Sequence, residues 1–275
     1  MQSPVTLSIF YEPLLKVMLE RLDVSELHCT VQGLFHKGSA SYVHFLAHLR
    51  SPDGVALACK YLEKDKGLLT KKDSLGNTLL HYAAYLRNTH LIDELVSKFP
   101  QHLFAHDSVL ENLQGNTPLH LAVSIKRSTQ LELPKIEEAL VSRCRNSRML
   151  LHKNAKGYNP LMLALIKGSS CGMDPINVIK LLLESPFGKD IIASTTPLGD
   201  SPLHVAARLS DIPLALSQVF SKTPKEKRFE KNLLGNTPLS EAILAEEMGN
   251  ALFILQSTND PKLIQETVTV YKAYI

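Results

Sequence analysis

Five copies of one ten-residue word run through this 275-residue chain. They read LGNTLLHYAA from Leu75, QGNTPLHLAV from Gln114, KGYNPLMLAL from Lys156, LGDSPLHVAA from Leu198 and LGNTPLSEAI from Leu234. Their glycines, Gly76, Gly115, Gly157, Gly199 and Gly235, stand 39, 42, 42 and 36 residues apart. Recurrence at this period marks an array of similar supersecondary elements, each too small to cover its own apolar face.

Each column of the word has a physical role. Glycine suits a tight turn that needs positive φ. Two residues later stand Thr78, Thr117, Asn159, Ser201 and Thr237, all able to accept a hydrogen bond from the free amides of a helix start. Pro118, Pro160, Pro202 and Pro238 follow, where a missing N–H costs nothing, with Leu79 in the first copy. A leucine column (Leu80, Leu119, Leu161, Leu203, Leu239) and an alanine column (Ala83, Ala122, Ala164, Ala206, Ala242) lie three apart, on one helix face. A second amphipathic helix follows in each copy: Ile92, Leu95, Val96 and Phe99; Ile136, Ala139 and Leu140 after Pro134; Val178, Ile179, Leu182 and Leu183 after Asp174 and Pro175; Leu216, Val219 and Phe220; and Leu252 and Leu255.

The pattern D/N-x-x-G-x-T-P-L-H-x-A, matched from Asp73, Asn112, Asn154, Thr196 and Asn232, resembles the ankyrin repeat. The resemblance implies an all-α solenoid of helix-turn-helix units joined by hairpin-like loops, with helical caps at both ends. Residues 1–40 are expected as an N-terminal helical cap, 41–72 as a degenerate ankyrin-like repeat, 73–256 as five repeats and 257–275 as a C-terminal capping helix. Within the cap, Glu12–Pro13 is expected to open a helix carrying Leu15, Met18, Leu19 and Leu22, and a further helix is expected from Ser25 to Lys37. Met162 and Ser240 depart from the histidine column, and the long spacings place insertions at SIKRSTQLELP and IKGSSCGMDP, between the two helices of the second and third copies. His81, His120 and His204 recur one per copy, so they read as structural hydrogen-bonding groups; a metal or catalytic site would need different ligand types converging on one point.

The resemblance also implies a protein partner of unknown identity, bound on the concave surface by turn tips and the outward side of each first helix. Carried onto this chain, those positions are Ser74, Leu75, Asn77 and Tyr85 in the first copy; Leu113, Gln114, Asn116 and Ser124 in the second; and Lys156, Tyr158 and Ile166 in the third. The fourth adds Leu198, Asp200 and Arg208, and the fifth Leu234, Asn236 and Leu244. Leu75, Leu198 and Leu234 put leucine at tips that family members often keep polar, and Tyr85 and Tyr158 add aromatic anchors.

A formal charge of +3 does not imply nucleic-acid binding, and no nucleic acid is expected. Arg143, Arg145 and Arg148 form a basic segment to which a weak anionic ligand is a minor alternative. Four scattered cysteines suggest reduced thiols and a cytoplasmic setting. Release by a bacterium into a host cell is the alternative setting, on a resemblance to ankyrin effectors of intracellular bacteria. No signal peptide and no membrane-spanning stretch is seen. No hydrolase, zinc-protease, phosphate-loop or dinucleotide motif occurs, and neither cofactor nor metal is expected. The expectation is therefore an interaction module and not an enzyme. Two alternatives stay open: an enzyme or modifier with its site in the terminal segments or insertions, and an adaptor for phosphoinositide or RNA. A Cys144–His152 arrangement can also be drawn, in a connecting segment where nothing in the sequence orients it.

Overall fold

The computed structural model describes residues 4–28, 30–32, 39–104, 110–125, 135–143, 148–171, 175–209 and 213–258. Among these the chain is mostly helical, with a single two-stranded ribbon, Thr30–Gln32 antiparallel to Ser39–Ser41. It forms two compact units, residues 1–125 with 134–155, and residues 126–133 with 156–275. No helix among the described residues is long and apolar enough to cross a membrane.

The repeated word folds alike in every copy. All five glycines have φ between +69° and +81°, and a short helix starts three residues on: Leu79–Tyr85, Pro118–Ser124, Pro160–Cys171, Pro202–Ala207 and Pro238–Leu244. The cap column does what its chemistry suggests. Thr117, Ser201 and Thr237 Oγ and Asn159 Oδ1 accept the amide of the third helical residue, at 2.8–3.4 Å. Thr78 instead bonds the His81 ring through its backbone N–H and its hydroxyl. The leucine column and Ala83, Ala122, Ala206 and Ala242 are buried. Small side chains let neighbouring first helices approach closely: Leu79–Tyr85 packs on Pro118–Ser124 in the first unit, and Pro202–Ala207 sits between Pro160–Cys171 and Pro238–Leu244 in the second. Second helices pair in the same way within each unit, Thr89–Lys98 on Lys135–Arg143 in the first and Ile176–Glu184 on Pro213–Lys222 in the second.

Two buried asparagines tie these layers to the preceding copy. Asn88 Oδ1 caps Leu91 N at 3.1 Å, while its Nδ2 donates to the carbonyls of Ala47 and Leu49 at 3.0 and 2.7 Å. Asn250 Nδ2 likewise donates to Ala207 and Leu209 at 3.0 and 2.9 Å. Asn88→Ala would leave one amide and two carbonyls unpaired at a buried site, so a loss of about 3 kcal/mol is expected. The urea midpoint of the variant measures it, and Asn88→Asp, which keeps the cap acceptor but not the donors, should recover little.

Several sequence expectations need correction. The segment Ser25–Lys37 is not one helix: Val24–His28 is a 3-10 turn and Thr30–Gln32 a strand, in keeping with the stiff β-branched side chains of Thr30 and Val31. The helix expected to open at Glu12–Pro13 spans Pro4–Glu20 and holds Pro13 inside. Glu12 serves another helix, Pro52–Lys64: its Oε1 accepts from Arg50 N, Ser51 N and Ser51 Oγ at 2.7–2.9 Å. Much of the expected insertion after Leu165 is helical, because Pro160–Cys171 runs for 12 residues. Pro175 stands as N-cap of Ile176–Glu184 rather than its first residue, and Asp174 lies outside the described residues. In the fifth copy Met248–Gln256 buries Asn250, Ala251 and Ile254, while Leu252 is 56% exposed. The SIKRSTQLELP insertion from Lys126 onward and the C-terminal helix expected from Pro261 also lie outside the described residues.

The segment 41–72, read as lacking the repeated word, carries its essential pair. Ser41 precedes the helix Tyr42–Phe45, and His44 stands where the later histidines stand. Ser41 N donates to His44 Nδ1 at 3.0 Å, and His44 Nε2 reaches the carbonyls of Lys71 and Asn77, each at 3.1 Å. The signal in the sequence was the spacing Ser-x-x-His, without proline or leucine between.

Candidate functional site

The histidine column presents a hydroxyl beside an imidazole in three copies, the local geometry a nucleophile and its base would have. Nδ1 of His81, His120 and His204 lies 2.8–2.9 Å from the hydroxyls of Thr78, Thr117 and Ser201. Each Nδ1 also accepts the backbone N–H of that residue at 3.1–3.2 Å. Nδ1 is therefore unprotonated and the ring N–H sits on Nε2. In His81 and His204 this N–H is spent on the next turn, donating to Asn116 O at 2.9 Å and Asn236 O at 3.0 Å. Burial drives the His81 pKa from 6.5 down to about 4, against the raising effect of the Asn116 carbonyl; the His204 pKa is lowered for the same first reason. These are buried neutral bridges with no ring nitrogen left to handle a substrate proton.

The turn tips are built on the residue three before each glycine. Asp73 Oδ1 accepts from Leu75 N and Asn77 N, Asn112 Oδ1 from Gln114 N and Asn116 N, Thr196 Oγ1 from Leu198 N and Asp200 N, and Asn232 Oδ1 from Leu234 N and Asn236 N, all within 2.6–3.3 Å. Adjacent tips are then stitched by backbone bonds of 2.9 Å each: Leu113 N to Leu75 O and Ala155 N to Gln114 O in the first unit, and Leu233 N to Leu198 O in the second. The sequence reading left the Asp/Asn column without a role.

Of the residues expected to meet a partner, the structure exposes some and occupies others. Leu75, Tyr85 and Leu113 in the first unit, and Leu198 and Leu234 in the second, are exposed, as are Ser74, Gln114 and Lys156. Leu233, not singled out in the sequence, is 77% exposed beside Leu234. Tyr158, Ile166 and Leu244 are half-buried, and Ser124 turns its hydroxyl to Leu121 O. Asn77 and Asn116 accept the carboxamides of Asn112 and Asn154 at 2.9 and 3.0 Å. Asp200 is a correction: it is 2% exposed, pairing with Arg208 at 2.9 Å and accepting from Asn232 at 2.8 Å. Glu241 closes this cluster, meeting Arg208 at 3.4 Å and accepting from Asn232 and Asn236 at 2.9 and 3.0 Å. Buried Asp200 and the half-buried Arg208 and Asn236 thus belong to one network that holds the fold together.

No group of three or more histidines, cysteines and carboxylates able to hold a metal occurs among the described residues. Arg148 is exposed, while the Arg143 side chain and Arg145 lie outside what is described. His152 stands apart from the column: Nε2 lies 2.6 Å from Glu111 Oε2, a polar contact without hydrogen-bond alignment, and the ring meets His120 edge-on at 6.2 Å. Cys144, drawn beside it in the sequence, lies outside the described residues.

No family model and no curated protein matches the chain. Among the solved structures it is similar to a chain of the complex between the predatory endopeptidase Bd0816 of Bdellovibrio bacteriovorus and immunity protein Bd3460. The likeness has a TM-score of 0.56 at 22% identity and covers 78% of this chain and 97% of the matched one. It concerns the fold. Two expectations are nevertheless corrected by it. The expectation of an interaction module bound to a partner is corrected: the finding against it is the endopeptidase named in that complex. The expectation that the chain is not an enzyme is corrected on the same finding.

Proposed function

We propose that this chain works in peptide-bond hydrolysis, as one half of an endopeptidase–immunity pair, on a scaffold of ankyrin-type repeats. The observation that carries the functional part is the likeness to a chain of such a complex over 97% of that chain's length. The ankyrin part is supported by the glycine tips with positive φ, the capped short helices and the histidine bridges, all on the pattern the sequence repeats. A catalytic half would carry its chemistry in the connecting segments, around Cys144 and His152, since the column histidines are consumed by the fold. An immunity half would present the turn tips and their exposed leucines to the peptidase.

Two assays on the purified full chain decide the matter. The first follows cleavage of a denatured protein substrate by mass spectrometry. The second measures the activity of endopeptidases, Bd0816 included, with and without an equimolar amount of the chain. Cleavage that falls at least a hundredfold in His152→Ala assigns the catalytic half. Stoichiometric suppression of a peptidase assigns the immunity half. Absence of both effects overturns the proposal.

A further inference from the structure

Besides the buried asparagines, three recurring donors at the tips link successive copies. The first is the backbone N–H two residues before the glycine: Leu113, Ala155 and Leu233 give it to the preceding tip. The second is the histidine ring, given by His44, His81 and His204 to the carbonyl after the next glycine. The third is the carboxamide three before the glycine: Asn112, Asn154 and Asn232 donate to the side chain one residue past the preceding glycine, Asn77, Asn116 and Asp200.

Where the third copy meets the fourth, inside the second unit, all three donors are chemically missing. Pro197 has no N–H, Met162 has no ring nitrogen, and Thr196 has no carboxamide. The Pro197 ring fills the approach instead: a methyl built on Gly157 would sit 2.1 Å from its Cδ. Asn159 reaches across the gap. Asn159 replaces the usual threonine, and while Oδ1 caps Met162 N at 2.8 Å, Nδ2 reaches forward to Ser194 Oγ at 2.6 Å and Ile191 O at 3.3 Å. Asparagine at the cap and methionine in place of histidine are thus one coupled change, and apolar packing carries the rest of the contact.

We propose that this junction is a seam built into the fold, at which the fourth and fifth copies open together while the third stays folded. In a linear array, stability is a sum of copies and nearest-neighbour contacts, so the weakest contact sets where partial opening begins. The opening would bare Ile191, Leu161 and Leu203, all buried in the closed form, and so supplies a conformational step that the uniform junctions do not offer.

Hydrogen exchange of the full chain in mild urea, read by mass spectrometry, tests this. Amides of Pro202–Ala207, Pro213–Lys222, Pro238–Leu244 and Met248–Gln256 should exchange at least tenfold faster than those of Pro160–Cys171 and Ile176–Glu184. Equal rates within twofold, or joint loss of all six helices in one step, would overturn the proposal. A variant that rebuilds the donors, Asn159→Thr with Met162→His, Thr196→Asn and Pro197→Leu, should bring the ratio close to one. The converse variant, His204→Met with Leu233→Pro and Asn232→Thr, should move the seam one junction along, so that Pro238–Leu244 and Met248–Gln256 open ahead of Pro202–Ala207. A seam that stays in place in that variant speaks equally against the donor account.

Discussion

On acidification from pH 7 to pH 4.5 the protein should lose most of its stability, chiefly through its buried histidines. His81 and His48 are held neutral by burial, with pKa values near 4 in the fold against 6.5 in the ordinary state. His44 and His204 are lowered as well, burial being the leading cause in each. A group whose folded pKa lies below its unfolded one favours the unfolded chain as pH falls. Its stabilisation is complete above about 6.5 and disappears progressively between 6.5 and 4. One pH unit corresponds to 1.36 kcal/mol, so His81 alone accounts for about 3 kcal/mol over this window. Two such residues remove on the order of 6 kcal/mol, comparable with the whole stability of an ordinary domain. Asp73 acts in the same direction at lower pH: burial tends to raise its pKa, but hydrogen bonds from Tyr82, Asn77 and Leu75 outweigh that and lower it. Urea titrations followed by circular dichroism at pH 7.0, 6.0, 5.0 and 4.5 measure the effect, and an unchanged midpoint across them contradicts the neutral-bridge description.

Alanine at Gly115 and alanine at Gly235 should differ by several-fold in cost, though the two glycines share a backbone conformation. Their φ values are +69° and +81°, so any Cβ meets the left-handed penalty of about 1–2 kcal/mol at either position. At Gly115 a Cβ would also lie 2.8 Å from Ala155 N, and that amide is fixed by its bond to Gln114 O. At Gly235 no atom of the described residues lies within 4 Å. The expected losses are about 4 kcal/mol for Gly115→Ala and about 1 kcal/mol for Gly235→Ala, the difference reporting tip-to-tip approach alone. Thermal unfolding of the two variants beside the parent suffices. Similar values for both would mean that the tips do not resist separation.

What could be read from the sequence was whatever the repetition averaged. Thr117, Pro118, Leu119 and Ala122 announce a capped helix with one buried face because each acts locally and recurs. The histidines were legible as structural for the same reason, although their partners were not: His81 and His204 reach 35 and 32 residues ahead, beyond any local pattern. Asn88 and Asn250 escaped notice because neither belongs to a recurring column and both bond backbone carbonyls, which carry no residue identity. The segment Ser25–Lys37 misled because a 3-10 turn and a short strand follow one another in a span that could as well hold one helix. Asp200 was read as a tip contact by alignment with Asn77 and Asn116; only the position of Arg208 and Glu241 across from it turns it inward.

Because the copies meet through their glycine tips and packed first helices, the number of residues between tips is free to drift. The third copy extends its first helix to 12 residues where Pro202–Ala207 has 6, yet both deliver their next turn to its place. Extra chain can therefore be spliced into the interval without disturbing register, which makes each interval a position where new chemistry could be acquired while the scaffold around it stays as it was.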